Sequence, residues 1–395
     1  MWQRIKNIYH FFVATLVNIV FFFPGKKLIV VGVTGTDGKT TTVNLIYHIL
    51  KENNFPVSML TSIGAFVGRK ELETGYHVTT PSSISLQKIL RRALRSGSKY
   101  FILEVTSHAL DQYRTLGIHF KIGVLTNVTS EHLDYHRTFD NYLKAKEKLL
   151  KVSDIAIVNR DDSSYTLFFE SKNVKSNADW ITYGKSENAD VNLANFPFES
   201  KTLIGDFNKY NALAAVAVCG KLGVNEEQIK KSIKTFKMPL GRMDFVYDED
   251  FAVVIDFAHT PNAFNELLGA LRQYTTGRLI HVFGSAGERD HAKRPFMGEI
   301  SSKYADIIFL TAEDPRSEDP NKIIEEIASG IKIKDAKVFK LVDRNDAIEA
   351  AVEMAQNGDL VVVTGKGHEK SMTFGHKDYP WSEHAVITSA IKTRK

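Results

Sequence analysis

The chain has 395 residues, 43% apolar and 25% charged, with 51 basic against 46 acidic side chains and a net charge of +5. That length exceeds one ordinary core and calls for two or three domains, and the composition excludes a disordered or collagen-like chain. The small net charge without a dense basic stripe argues against nucleic acid as a partner. The single cysteine, Cys219 in an apolar run, excludes an internal disulfide and a multi-cysteine metal centre, so a reducing, cytoplasmic setting is expected.

Residues 8–23 are apolar except for His10, Thr15 and Asn18, with Arg4 and Lys6 ahead of them. The run is short for a bilayer span, and no small-residue cleavage site follows it. A helix lying on a membrane surface, a helix packed on its own domain and a short anchor all remain open. Trp2, Tyr9 and the flanking basic residues fit the first, so membrane-surface contact through residues 2–23, at the inner face, is one expectation.

From residue 27 apolar runs alternate with helical spacing. Strands are predicted at 28–33, 57–60, 100–105, 122–127 and 155–159, with helices at 43–50, 84–96, 141–152, 207–222 and 225–236. The turn Pro-Leu-Gly-Arg at 239–242 marks a boundary, after which the pattern restarts. Strands are predicted at 252–256, 279–284, 307–311, 337–341 and 360–364, and helices at 261–274, 295–303, 320–329 and 344–356. The reading is an α/β protein. A hydrophobic helix at 1–26 precedes a central α/β domain with a mostly parallel sheet at 27–240 and a smaller Rossmann-like α/β domain at 241–395.

The most telling stretch is 31–42, Val-Gly-Val-Thr-Gly-Thr-Asp-Gly-Lys-Thr-Thr-Thr. It joins a buried strand to a helix, the setting of a phosphate-binding loop. Gly35 and Gly38 let the backbone curl so that its N–H groups around Thr36, Asp37 and Thr41 face one point, and the helix N-terminus adds positive potential there. Lys39 is placed to reach terminal phosphates and the Thr40 hydroxyl to ligate Mg²⁺. Val33 occupies the first glycine's place, so the loop is a variant of the common spacing. Polar runs follow two further strands, at 104–108 and 126–136, where open α/β sheets place ligands. Glu104 with Thr40 suits one Mg²⁺ and His132 a second.

The motifs, in order, are 35–42, Thr-Thr-Pro at 79–81, Glu-Val-Thr-Ser-His-Ala-Leu at 104–110 and Thr-Asn-Val-Thr-Ser-Glu-His-Leu-Asp-Tyr-His at 126–136. They continue with Gly-Asp-Phe-Asn-Lys-Tyr-Asn at 205–211, Gly-Arg-Met at 241–243, Asp-Phe-Ala-His-Thr-Pro at 256–261 and the glycine-rich run 284–295. Glu-Asp-Pro-Arg at 313–316 and Gly-Lys-Gly-His-Glu at 365–369 close the series. Together the chain resembles the Mur ligase family of ATP-dependent amide-bond ligases, in its branch that adds the third residue of the peptidoglycan stem.

The resemblance implies an acid–amino acid ligase working through an acyl phosphate, with ATP, two Mg²⁺ ions and a carbamylated lysine at Lys146. Read from Lys144 and Lys148 alone, Lys146 is a solvated lysine. The resemblance further implies nucleotide contacts from Asn208, Asn211, Arg242, Asp256 and His259, and acceptor contacts from Thr79, Thr80 and Ser107. The incoming diamino acid, diaminopimelate or lysine, would meet Arg289, Glu313, Asp314, Arg316, Gly365 and Glu369. Asp314 departs from the Asp-Asn-Pro-Arg of diaminopimelate-adding relatives, and the extra carboxylate is expected to favour a simple ammonium such as lysine's.

About 26 residues precede the first strand, too few for the UDP-gripping domain of the tripeptide synthetases. The acceptor is therefore expected to be bound by its peptide end or to be lipid-linked. A monomer is expected. Two alternatives stand beside this reading: a folylpolyglutamate-synthetase-like ligase, and a membrane-associated nucleotide-binding module without ligase activity.

Overall fold

The computed structural model describes residues 2–72, 79–129, 133–170, 179–332 and 336–394. The chain divides into two compact units, one of Met1–Leu203 with Phe207–Lys237, the other of Ile204–Asp206 with Met238–Lys395.

The first unit begins with α1 (Trp2–Phe21), then β1 (Ile29–Thr34), α2 (Lys39–Glu52), β2 (Val57–Leu60), β3 (Ala65–Val67), β4 (Lys70–Leu72) and α3 (Ser83–Arg95). It continues through β5 (Tyr100–Glu104), α4 (Ser107–Asp111), β6 (Phe120–Leu125), α5 (Leu133–His136), α6 (Phe139–Lys151), β7 (Ser153–Asn159), α7 (Ser163–Glu170) and β8 (Asp179–Tyr183). The helices α8 (Asp206–Lys221) and α9 (Glu226–Thr235) complete the series. Its eight strands run in the order β4-β3-β2-β5-β1-β6-β7-β8. The pairs from β2 to β8 are parallel, and β3 and β4 add an antiparallel edge. Val30, Val31 and Val33 of β1 and Phe101, Ile102 and Leu103 of β5 are fully buried, as parallel strands covered on both faces must be.

The second unit holds β9 (Asp244–Asp248), β10 (Ala252–Asp256), α10 (Pro261–Tyr274), β11 (Leu279–Phe283), α11 (Lys293–Tyr304), β12 (Ile307–Leu310) and α12 (Pro320–Ala328). It ends with β13 (Lys337–Lys340), α13 (Arg344–Met354), β14 (Leu360–Thr364), the hairpin β15 (Ser371–Phe374) with β16 (Lys377–Pro380), and α14 (Glu383–Arg394). The six-stranded sheet runs β13-β12-β11-β14-β10-β9, parallel except for β9. Its helices start where the sequence chemistry demands. Thr260 and Asp319 cap α10 and α12, each followed by proline in the first turn, and Asp343 caps α13.

The predicted central strands are all present. The sequence reading missed β3, β4, β8, β9, β15, β16, α4, α5, α7 and α14. β3 and β4 are three residues each, too short for a period to show, and β16 is exposed along its whole length. Cys219 lies fully buried in α8, where burial pushes its thiol pKa up.

Candidate active site

In the first unit β1 delivers the chain into the glycine loop and α2 starts at Lys39. Gly38 sits at φ 80° as the helix cap and Gly35 at φ 148°. A Cβ on Gly35 would collide with Thr126 Oγ1, and one on Gly38 with Asn211 Oδ1, so the loop is closely packed as well as left-handed. Asn127 anchors it by accepting from the Asp37 N–H at 2.8 Å, while the Thr126 hydroxyl donates to the Asp37 carbonyl at 2.6 Å.

Four predicted residues, Lys39, Lys146, Thr40 and Glu104, meet there. Lys39 Nζ folds back onto the loop, donating to the Gly35 and Thr36 carbonyls at 3.1 and 2.6 Å. Lys146, only 1% exposed, approaches the same Gly35 carbonyl at 2.5 Å, with its ammonium 4.4 Å from the centre of the Tyr142 ring. Thr40 Oγ1 donates to the buried Glu104 carboxylate at 3.0 Å, and Ser62 adds its N–H to that carboxylate at 3.0 Å and its hydroxyl to Thr40 at 3.2 Å. Asn211 accepts from the Thr42 hydroxyl at 3.3 Å and donates to Asn208 at 3.2 Å. The Thr80 hydroxyl bonds the Glu104 carbonyl at 3.0 Å, Thr79 is half-buried, and Ser107 Oγ lies 3.0 Å from His136 Nε2. His132 lies outside the described residues.

The hydroxyls of Thr40 and Ser62 and the Glu104 carboxylate form a set of hard oxygen donors, the chemistry that suits Mg²⁺. Among the described residues no group of three or more His, Cys, Asp or Glu side chains gathers for a metal. Ser62 and Tyr142 are the residues sequence reasoning missed here. Ser62 has no sequence signal, whereas Tyr142 lies one turn before Lys146 on α6.

In the second unit Asp256 ends β10. Its carboxylate accepts from the N–H groups of Met243 and Ala258, both at 2.7 Å, which fixes the 241–243 turn. Burial pushes its pKa up, against the pull of Arg242. The Arg242 guanidinium stacks 4.5 Å over Phe257 and lies 3.3 Å from His368 Nδ1. His259 directs Nδ1 at the Phe257 carbonyl, 2.9 Å away, and its own carbonyl accepts from Lys293 at 2.7 Å.

Two loops of this unit, 284–292 and 313–318, carry the predicted amino-acid residues. Gly287 N–H donates to the Asp314 carbonyl at 2.8 Å and Arg316 Nη1 to the Gly287 carbonyl at 3.1 Å. Arg289 is exposed on the first loop. Behind them Arg294, fully buried, donates to Glu318 at 3.0 Å, Glu326 at 2.6 Å and the Ala286 carbonyl at 3.1 Å, tying the loops together. Asp314 does not stand free for a substrate ammonium. Its Oδ1 already accepts from Lys366 Nζ at 2.8 Å and from the Thr373 N–H at 2.9 Å, and Lys366 also reaches Glu369 at 2.5 Å. Glu313 is buried, with Oε2 unpartnered and facing Gly365, where a Cβ would collide with it. Burial raises its pKa, opposed by Lys293, Arg344 and His259.

Comparison with known families places this arrangement. The Mur ligase middle domain matches residues 33–219, and the Mur ligase glutamate ligase domain matches residues 241–367. The chain is 38% identical over 389 residues to UDP-N-acetylmuramoyl-L-alanyl-D-glutamate–2,6-diaminopimelate ligase 1 of Clostridium acetobutylicum, covering 93% of this chain and 79% of the relative.

The chain belongs to the Mur ligase family.

It is also 38% identical over 409 residues to the UDP-N-acetylmuramyl-tripeptide synthetase of Borreliella afzelii, covering 96% of this chain and 80% of that one. A solved UDP-N-acetylmuramoyl-L-alanyl-D-glutamate–2,6-diaminopimelate ligase superposes with a TM-score of 0.64 at 29% identity, over 93% of this chain and 79% of that structure. As a Mur ligase, the protein is an ATP-dependent carbon–nitrogen ligase of peptidoglycan synthesis.

Proposed function

We propose that this Mur ligase adds a diamino acid, diaminopimelate or lysine, to a muramoyl-L-Ala-D-Glu-type acceptor, and so serves wall biogenesis, cell shape and division. The observation that carries the reading is the meeting of Lys39, Lys146, Thr40 and Glu104 at one glycine loop. In the reaction the acceptor carboxylate attacks the γ-phosphorus of ATP, and ADP leaves. The amine nitrogen then attacks the acyl phosphate carbon, losing a proton. The tetrahedral adduct expels inorganic phosphate and leaves an amide.

The loop N–H groups and Lys39 hold the phosphates, with Asn208, Asn211, Arg242, Asp256 and His259 assigned to the nucleotide. Thr79, Thr80 and Ser107 are assigned to the acceptor. Arg289 and Arg316 suit the carboxylates of the amino acid through paired N–H groups, with Glu313, Asp314, Gly365 and Glu369 shaping its distal end. Two Mg²⁺ ions, when bound, supply charge compensation on the phosphates. Thr40 and Glu104 would hold one, and His132 with a carbamylated Lys146 the other. The domains run 1–26, 27–240 and 241–395, the protein acts as a monomer in the cytoplasm, and residues 2–23 meet a membrane surface. The acceptor is UDP-linked or lipid-linked.

The test is purified protein with ATP, Mg²⁺ and an L-Ala-γ-D-Glu acceptor against a panel of amino acids, read by mass spectrometry. Phosphate release that requires both acceptor and diamino acid supports the reading. Turnover of folate and glutamate instead would establish the folylpolyglutamate-type alternative, and no turnover with any pair the non-ligase one.

A further inference from the structure

The helix α1 is amphipathic the wrong way round for a protein surrounded by water. Its two asparagines with partners elsewhere in the chain face the protein. Asn7 Nδ2 donates to Asp111 Oδ2 at 2.9 Å, and Asn18 Nδ2 donates to the Leu116 carbonyl at 2.7 Å. Asn18 is 1% exposed, and Gly117, at φ 80°, admits it because any Cβ there would collide with its side chain. Ala14 and Val17 share this inner arc. The outer arc carries Ile8, Tyr9, Phe12, Leu16, Ile19 and Val20, each between 55% and 66% exposed, followed by Phe22 at 70%. On a helix of 3.6 residues per turn those six α1 side chains fall on one side. A contiguous apolar stripe of this length is what isolated exposed hydrophobes are not.

The charge carried by α1 and α3 has one sign. Neither α1 nor the adjoining α3 contains an acidic residue. Lys6, Lys26, Lys27, Lys88, Arg92 and Arg95 are exposed, Arg91 sits 5.9 Å over the Phe21 ring, and Lys26 lies 4.8 Å over Phe23. A second copy of the chain meeting this patch across a two-fold axis would set these cations against themselves. Nor is α1 a span: no described helix is long and apolar enough to cross a membrane. Its inner face is bonded to the protein near both ends.

We propose that α1 is an interfacial helix, held rigidly on the first unit, whose outer arc inserts into the headgroup–acyl boundary of an anionic bilayer while the α3 cations bind its headgroups. This deepens the membrane-surface part of the proposed function and is independent of its ligase chemistry.

The test is co-sedimentation of the full chain with vesicles of phosphatidylglycerol and phosphatidylcholine, and with phosphatidylcholine alone. Binding is expected only to the anionic vesicles and is weakened by salt. Phe12→Asp with Leu16→Asp is expected to lower it roughly tenfold or more, and Arg92→Glu with Arg95→Glu about as much. Both pairs are exposed, and an unchanged thermal unfolding midpoint shows that the fold is retained. No binding to anionic vesicles, equal binding to neutral ones, or a concentration-dependent dimer dissolved by the Phe12 and Leu16 substitutions would each overturn the proposal. Soluble-acceptor turnover, measured in parallel, reports on the ligase reading separately.

Discussion

Lys366 and Asp314 form a buried ion pair, 2.8 Å between Nζ and Oδ1, with Lys366 wholly inaccessible and Asp314 only 5% exposed. Burial works against the ammonium, but Glu369 and Asp314 outweigh it and raise its pKa. The stabilisation is therefore present at neutral pH and lost only as pH rises through that raised value. Lys366→Met should cost roughly 3 kcal/mol or more, because it leaves carboxylates buried without their cation. Asp314→Asn keeps an oxygen acceptor and should cost less than about 1.5 kcal/mol. Denaturant midpoints rank the two, and the KM for the diamino acid should rise in both while that for ATP stays put.

Gly38→Ala puts a Cβ onto Asn211 at a left-handed φ of 80°. Affinity for ATP should fall by about a hundredfold or more, since loop strain and loss of the phosphate cradle act together. Calorimetric titration with a non-hydrolysable ATP analogue measures this. Unchanged affinity would remove the loop from the site.

Thr40→Val deletes the hydroxyl that binds Glu104 at 3.0 Å. The expected result is a Mg²⁺ requirement raised about tenfold or more, read from activity against metal concentration, with little change in the unfolding midpoint.

Carbamylation of Lys146 predicts that removing dissolved CO₂ lowers turnover and that bicarbonate restores it. Lys146→Ala should be inactive and insensitive to bicarbonate, with partial recovery on adding a short carboxylic acid. Activity indifferent to bicarbonate in the unsubstituted protein would leave Lys146 acting as an ammonium.

His281 gives the second unit an acid limit. It is fully buried between Ser301 Oγ and Thr364 Oγ1, each at 2.9 Å, and burial, with Arg344 nearby, pushes its pKa from 6.5 down to about 3. The unfolded chain takes up a proton that the folded chain refuses. Stability should therefore fall as pH drops from the ordinary histidine value toward about 3. Urea midpoints between neutral and acid pH should show a shallower decline in His281→Gln.

The central strands were legible because parallel strands buried on both faces must be apolar runs, as in 28–33 and 360–364. The edge strand β9 was not: four of its five residues are half-buried and the last is exposed, so neither a run nor a strict alternation marks it. The glycine loop was legible because glycine, lysine and threonine at that spacing are dictated by local backbone chemistry. Lys146 was not, on residue pattern alone. Its helical neighbours Lys144 and Lys148 have side chains 64% and 43% exposed. Its own burial is set by Tyr142 and by Gly35, 111 residues away. The partnership of Lys366 with Asp314 is hidden in the same way, by 52 residues of intervening chain.

The short helix α4 has Ser107 at one end and Asp111, the residue that receives Asn7 of α1, at the other. Five residues of helix rise only about 7 Å. With α1 seated in a bilayer, the proposed acceptor-contacting hydroxyl would stand within the width of α1 plus the length of α4, roughly 2 nm, of the outer arc. Of the two proposed acceptors, a lipid-linked one would then be extended in place without being extracted, and catalysis would proceed in two dimensions along the leaflet.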